Sequence, residues 1–102
     1  MKLPFLIEPK DVEFKVLVTI NGKKFMNRKV EGMFVIVAEP DDKVLINIRR
    51  KYYKELDGEI VISENSEGGT ILMEPNYMHI PSNEIADPEF IKSFFKKDVF
   101  NN

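Results

Sequence analysis

A short stretch in the middle of the chain, RRKYYK at residues 49–54, brings cationic and aromatic side chains together. Lysine and arginine neutralise the phosphates of nucleic acids, and tyrosine rings stack on bases. Small β-barrels bind single-stranded nucleic acids with this combination of residues. The stretch therefore predicts a nucleic-acid-binding strip whose members are Arg49, Arg50, Lys51, Tyr52, Tyr53 and Lys54.

The same stretch also fits the solvated end of a β-strand. Side chains alternate along a strand, so one face would carry Arg49, Lys51 and Tyr53 and the other face the remaining three. One of these faces would point inwards, where a tyrosine packs in the core with its hydroxyl group at the rim. The acidic segment that follows would also repel phosphate. Both interpretations stay open from the sequence alone.

Side chains able to catalyse reactions or bind metals are sparse elsewhere. The single histidine, His79, is a general-base candidate beside Tyr77, but no cysteine or second histidine is present to complete a zinc site. The turn at residues 39–42 offers three carboxylates but lacks the ligand spacing of an EF-hand loop. No serine lies in a nucleophile motif. We therefore expect no catalytic residues, no metal site, no cofactor and no enzymatic activity.

Charge is divided unevenly along the chain, although the net value is only −2. Residues 1–54 contain twelve Lys and Arg against seven Asp and Glu, whereas residues 55–102 contain three against ten. The acidic half suits a docking surface for a basic protein partner. Oppositely charged patches on two copies would also favour a homo-oligomer. The candidate partner-binding residues are Glu55, Asp57, Glu59, Phe94 and Phe95.

Alternation of apolar residues and two turn signals predict a run of antiparallel strands. The predicted strands cover residues 12–20, 23–30, 33–38, 44–53, 59–63 and 70–73. Asn21-Gly22 and Asp57-Gly58 are dipeptides that favour tight hairpins, because Gly and Asn accept positive φ. At the first hairpin a two-residue loop would place Val18 opposite Phe25, and a bulged three-residue loop would place Leu17 there.

A helix is predicted near the C-terminus. Asp87-Pro88-Glu89 is typical of a helix start, and the apolar residues that follow recur at helical spacing. These residues are Phe90, Ile91, Phe94 and Phe95. So short a helix needs a surface to pack against. The predicted fold is therefore mainly β: a small antiparallel barrel, or a strongly curved sheet, of five to six strands capped by this helix.

Length and composition predict one domain over residues 1–102. The chain lacks the long apolar run of a signal peptide or a membrane span, so we expect a cytoplasmic protein. Its frequent Lys, Ile, Asn and Glu are typical of bacterial and bacteriophage proteins of low GC content. The leading hypothesis is a small domain that binds another protein and self-associates, and the alternative is a nucleic-acid-binding barrel that uses residues 49–54.

Overall fold

The computed structural model describes residues 1–76, and this range forms seven β-strands and no helix. The strands are β1 (Lys2–Glu8), β2 (Glu13–Ile20), β3 (Lys23–Glu31), β4 (Met33–Val37), β5 (Lys43–Arg49), β6 (Leu56–Val61) and β7 (Gly69–Leu72). The mainly β prediction is confirmed. No helix within residues 1–76 is long and apolar enough to cross a membrane. The predicted C-terminal helix lies outside the described residues, together with Tyr77, His79, Phe94 and Phe95.

The strands form two sheets. A three-stranded sheet has the order β4-β1-β7, with β1 antiparallel to β4 and parallel to β7. A four-stranded sheet has the order β3-β2-β5-β6 and is antiparallel throughout. Within residues 1–76 the strands number seven and the two sheets are not closed into a barrel, so the predicted barrel or single curved sheet of five to six strands is wrong.

The difference arises mainly from β1, a strand that the sequence does not predict. The apolar side chains Leu3, Phe5 and Ile7 alternate with less buried ones and face inwards. Pro4 lacks a backbone N–H, which argues against a central strand. Even so, β1 lies between β4 and β7. It therefore holds these two strands together in a sheet of their own.

Both sheets bury an apolar face in one shared core. Phe5 and Phe34 of the three-stranded sheet stack with ring centroids 5.5 Å apart. The largest fully buried side chains from the two sheets and the following loop are Phe14, Phe34, Ile7, Ile36, Ile48 and Ile62. Each such side chain contributes roughly 1.5–3 kcal/mol through removal from water. No charged or polar residue among those described is fully buried.

The first hairpin has the predicted two-residue loop, with positive φ at Asn21 (52°) and Gly22 (81°). Its register is neither of those predicted, because Val18 lies opposite Met26. A β-bulge at Phe25 inserts one extra residue into β3 and shifts every later pair. The shift keeps Val18 and Met26 on the inward face of the sheet.

The boundaries of β5 and β6 also differ from prediction. β5 ends at Arg49 rather than Tyr53, and the connection to β6 turns at Tyr52, which has φ +71°. Asp57 and Gly58 lie inside β6 rather than in a hairpin loop, opposite Asn47 and Ile46. The turn is therefore made by residues 50–55, which carry no Asn-Gly or Asp-Gly signal.

Candidate interaction surface on the four-stranded sheet

Three cations stand side by side on the outer face of the four-stranded sheet. Lys15 of β2 lies directly opposite Lys29 of β3 and Arg49 of β5, and all three side chains are exposed. Like charges in directly opposed positions destabilise a sheet. Lys29 Nζ forms an ion pair with Glu13 Oε1 at 3.9 Å, and a surface pair of that length stabilises little. We call Lys29, Lys15 and Arg49 the basic row.

The basic row leads to β3, which forms one edge of this sheet. Within residues 1–76 no strand pairs with the outer side of β3. Seven of its nine residues are exposed, and only Val30 is buried. Its charged residues are the cations Lys23, Lys24, Arg28 and Lys29 and the single anion Glu31. β3 is thus a long, exposed and mainly basic edge strand.

The opposite edge of the same sheet is acidic. Among the described strands, β6 has β5 as its only neighbour, and its charged residues are Asp57 and Glu59. Asn47 Nδ2 donates to Asp57 Oδ1 at 2.9 Å and to Glu55 Oε2 at 2.8 Å. This amide holds two carboxylates close together and fixes their direction. Glu59 pairs with Lys43 at 3.2 Å on the exposed surface.

The backbone groups that face outwards from these edges follow from ladder alternation. Asn21 N–H donates to Lys43 O, and Ile62 N–H donates to Asp42 O. Along an antiparallel strand, successive residues bond to alternate neighbours. Odd-numbered residues of β2 therefore bond to β5, and its even-numbered residues bond to even-numbered residues of β3, as Val16 does to Arg28. By the same alternation, the even-numbered residues of β6 bond to β5. This leaves the N–H and C=O groups of Asn27 and Lys29, and those of Asp57 and Glu59, pointing away from the sheet.

The predicted strip at residues 49–54 is not one continuous surface. Arg49 ends β5 and joins the basic row, whereas Arg50 Nη1 donates to Glu13 O at 2.9 Å. Lys51 Nζ lies 4.8 Å from the ring centroid of Tyr52, a distance at which cation–π attraction operates. The positive φ at Tyr52 interrupts the strand, so the alternation expected for Arg49, Lys51 and Tyr53 does not occur.

The last two residues of the strip serve the fold. Tyr53 is only 7% exposed and packs against Phe14, so its ring is not available to stack on a base. Its backbone also bridges to Pro75. Lys54 Nζ pairs with Glu74 Oε2 at 3.2 Å, and Lys54 N–H donates to Glu74 O. Both residues therefore connect the β5–β6 turn to the segment after β7.

Other residues singled out from the sequence are brought together differently. Glu55, Asp57 and Glu59 lie together at the β6 edge.

At the acidic turn, Asp42 Oδ2 accepts the Glu39 N–H at 2.9 Å and Asp42 Oδ1 accepts from Asn21 Nδ2 at 2.8 Å. The backbone hydrogen bond and then the Asn21 amide hold the pKa of Asp42 below its usual value. Within residues 1–76, no group of three or more His, Cys, Asp or Glu could hold a metal ion.

The outer face of the three-stranded sheet carries exposed apolar side chains. β4 exposes Met33, Val35 and Val37 there, and β7 exposes Leu72 at 70%. β1 adds Pro4 between them. This sheet therefore presents several exposed apolar side chains on its outer face.

The sequence predicts the strand β3 but not its position at the edge of a sheet. The signal was present in KKFMNRK at residues 23–29, which lacks the apolar alternation of β2. Charged side chains, lysine above all, are typical of a strand at the edge of a sheet.

Comparisons of the chain with protein-family models, with curated proteins and with solved structures found no match.

Proposed function

We propose that the protein is a non-enzymatic interaction module that binds an extended segment of a partner protein along the outer side of β3. The observation that carries the proposal is the unpaired side of this nine-residue strand within residues 1–76. An exposed edge offers a partner main-chain hydrogen bonds, and the flanking side chains select its sequence. The outward-facing backbone N–H and C=O groups of Asn27 and Lys29 can form these main-chain hydrogen bonds.

The charges of β3 define the chemistry of the partner. Lysines on an edge strand discourage pairing with the same strand of another molecule, because equal charges would face each other. They attract a segment that carries Asp or Glu at alternate positions. Lys29 stands at the end of the basic row, so a carboxylate opposite it would also reduce repulsion from Lys15. The partner segment is therefore extended and acidic.

The test is a selection of random peptides on the immobilised full-length protein. We expect extended peptides with alternating acidic residues. An Asn27→Pro variant should lose them, because proline removes the N–H that points away from β2. Asn27→Ala is the matched control, since it removes the same side chain but keeps the N–H, and it should retain binding. Equal binding by both variants, with circular dichroism showing both folded, would contradict the proposal.

A second candidate function, the binding of single-stranded nucleic acid, is supported by the basic row. Lys29, Lys15 and Arg49 are spaced as neighbouring strands are, about 5 Å apart, and can follow a phosphate backbone across the sheet. This candidate function has less support from base stacking, which requires exposed aromatic rings. Tyr53 is buried and Tyr52 is half-buried, so few described rings near the row can stack on bases.

A further inference from the structure

We propose that the acidic segment that fits β3 is β6 of a second copy of this chain, so that the four-stranded sheets join head to tail. This inference rests on the proposed function and names its partner. The two edges of one sheet carry opposite charge, with four cations and one anion on β3 and two anions on β6. The same molecule therefore supplies both the site and its complement.

Strand direction permits the junction. The sheet contains four strands that are all antiparallel to their neighbours, so β3 and β6 run in opposite directions. A second copy in the same orientation thus presents β3 antiparallel to the β6 of the first. The outer face of one sheet continues into the outer face of the next. The joined strands can therefore extend the existing ladder without reversing either molecule.

One register makes the two edges complementary. With Asp57 opposite Lys29, opposite charges face each other on the outer side, and Glu59 lies opposite the amide of Asn27. On the inner side, Ile60 then meets Met26, and Leu56 meets Val30. These four apolar residues belong to the core or pack against it. The outward backbone groups of Asp57 and Glu59 also meet those of Lys29 and Asn27, as a ladder requires.

Neighbouring registers are less favourable. A shift of two residues in one direction brings Glu59 opposite Lys29 but places Asp57 opposite Glu31, so the attraction of one pair is offset by the repulsion of two carboxylates. A shift in the other direction places Asp57 opposite Asn27 and brings Glu59 to Phe25, where the bulge interrupts β3. Pairing of β3 with β3, or of β6 with β6, brings equal charges together. The charges therefore select both the partner edge and the register.

The junction uses two different surfaces, so it does not close into a two-fold dimer. Contacts of this kind produce rings when the rotation between copies closes and open chains when it does not. A single pair of strands buries little apolar surface, so affinity at each junction is modest and the assembly grows with concentration. Because its outer charges are exposed, assembly should also weaken as salt rises.

The experiment is sedimentation velocity of the full chain over roughly a hundredfold range of concentration, at about 50 and 500 mM salt. We expect the average mass to rise above the 11.9 kDa of one copy as concentration increases, and to fall again at high salt. Asp57→Lys and Lys29→Asp should each remain monomeric, because each variant places equal charges at the junction. Glu64→Lys and Lys2→Asp carry the same charge changes at exposed sites on neither edge, and should assemble as the wild type does.

The decisive step is an equimolar mixture of Asp57→Lys and Lys29→Asp. Each junction in the mixture again joins opposite charges, so assembly should return at the concentration where the separate variants are monomeric. Failure of the mixture to assemble, or a wild type that stays monomeric throughout, would overturn the inference. If the wild type is monomeric but β3 still binds acidic peptides, the proposed function survives and only its assignment to a second copy fails. A wild type that is monomeric and binds no acidic peptide would reject both the proposed function and the assignment of its partner to a second copy.

Discussion

The ring of Tyr53 packs edge-on against the ring of Phe14, with centroids 5.0 Å apart and an angle of 80° between the planes. Phe14 is completely buried in β2, and Tyr53 follows β5 in the turn that leads to β6. Edge-to-face pairs of this kind stabilise a core beyond the area that they bury. The contact anchors the β5–β6 turn to the core that the two sheets share, and it removes the ring of Tyr53 from solvent.

Replacement of Tyr53 by alanine should lower the free energy of unfolding by about 3 kcal/mol, because it removes a buried aromatic ring and leaves a cavity. Urea denaturation monitored by circular dichroism measures this change. Phe25→Ala is the control, since it removes an aromatic ring that is 41% exposed and should cost much less. A Tyr53→Ala protein as stable as the Phe25→Ala protein would contradict the core role of Tyr53.

A side chain at Gly68 should disrupt the attachment of β7 to β1. A Cβ atom there would overlap the backbone oxygen of Pro4, so one of the two backbones must move. We expect Gly68→Ala to destabilise the protein by about 2 kcal/mol or more, as overpacking does elsewhere. Thermal unfolding of this variant beside Gly69→Ala provides the comparison, because a Cβ at Gly69 meets nothing within 4 Å. Similar melting temperatures for the two variants would show that Gly68 is not confined by Pro4.

The hydrogen bonds of Asp42 should make stability depend on pH in the acidic range. The pKa of Asp42 is lowered by the Glu39 N–H and then by the Asn21 amide, so folding favours its ionised form. The stabilisation is complete above the ordinary value of 3.8 and is lost as pH falls through the lower pKa of the folded state. Urea denaturation of wild type and Asp42→Ala between about pH 6 and pH 2 should therefore show a difference that shrinks as pH decreases. A difference that does not vary with pH would contradict this account.

The second candidate function can be tested by removing charges from the basic row. If it binds single strands, Lys15→Ala combined with Arg49→Ala should weaken binding to labelled random DNA or RNA and reduce its salt dependence. Fluorescence anisotropy at about 50 and 200 mM salt measures both effects. Lys2→Ala combined with Lys10→Ala removes the same charge from exposed positions outside the four-stranded sheet and is the control. Equal affinities of the two double variants would exclude the row as the binding site.

Much of the local structure could be predicted from the sequence. The alternation of Phe14, Val16 and Val18 predicts β2 and its buried face, and Asn21-Gly22 predicts the hairpin that follows. These features depend on neighbouring residues only, because side-chain direction alternates along any strand and positive φ is a property of single residues. The bulge at Phe25 was not predictable in this way, since it depends on which side chains of β3 face the core.

The adjacency of the residues in the basic row could not be predicted from the sequence, because it depends on which strands become neighbours. Lys15, Lys29 and Arg49 are distant in the sequence, and only the pairing of β2 with both β3 and β5 makes them adjacent. The members of the strip at residues 49–54 are consecutive, and strand alternation alone would divide them between two faces. The reversal of the chain at Tyr52 divides it between the basic row, the turn and the core.

By itself, the sequence determined the strand-rich composition, most of the strands, the first hairpin and the division of charge between the two halves of the chain. Tertiary structure alone decided that β1 joins β4 and β7, that Tyr53 is buried, and that the basic and acidic segments lie at opposite edges of one sheet. The physical reason is that alternation and turn preference act over a few residues, whereas sheet order depends on contacts between distant segments. Those contacts form where apolar faces bury most area together, and the charged edges are what such packing leaves exposed.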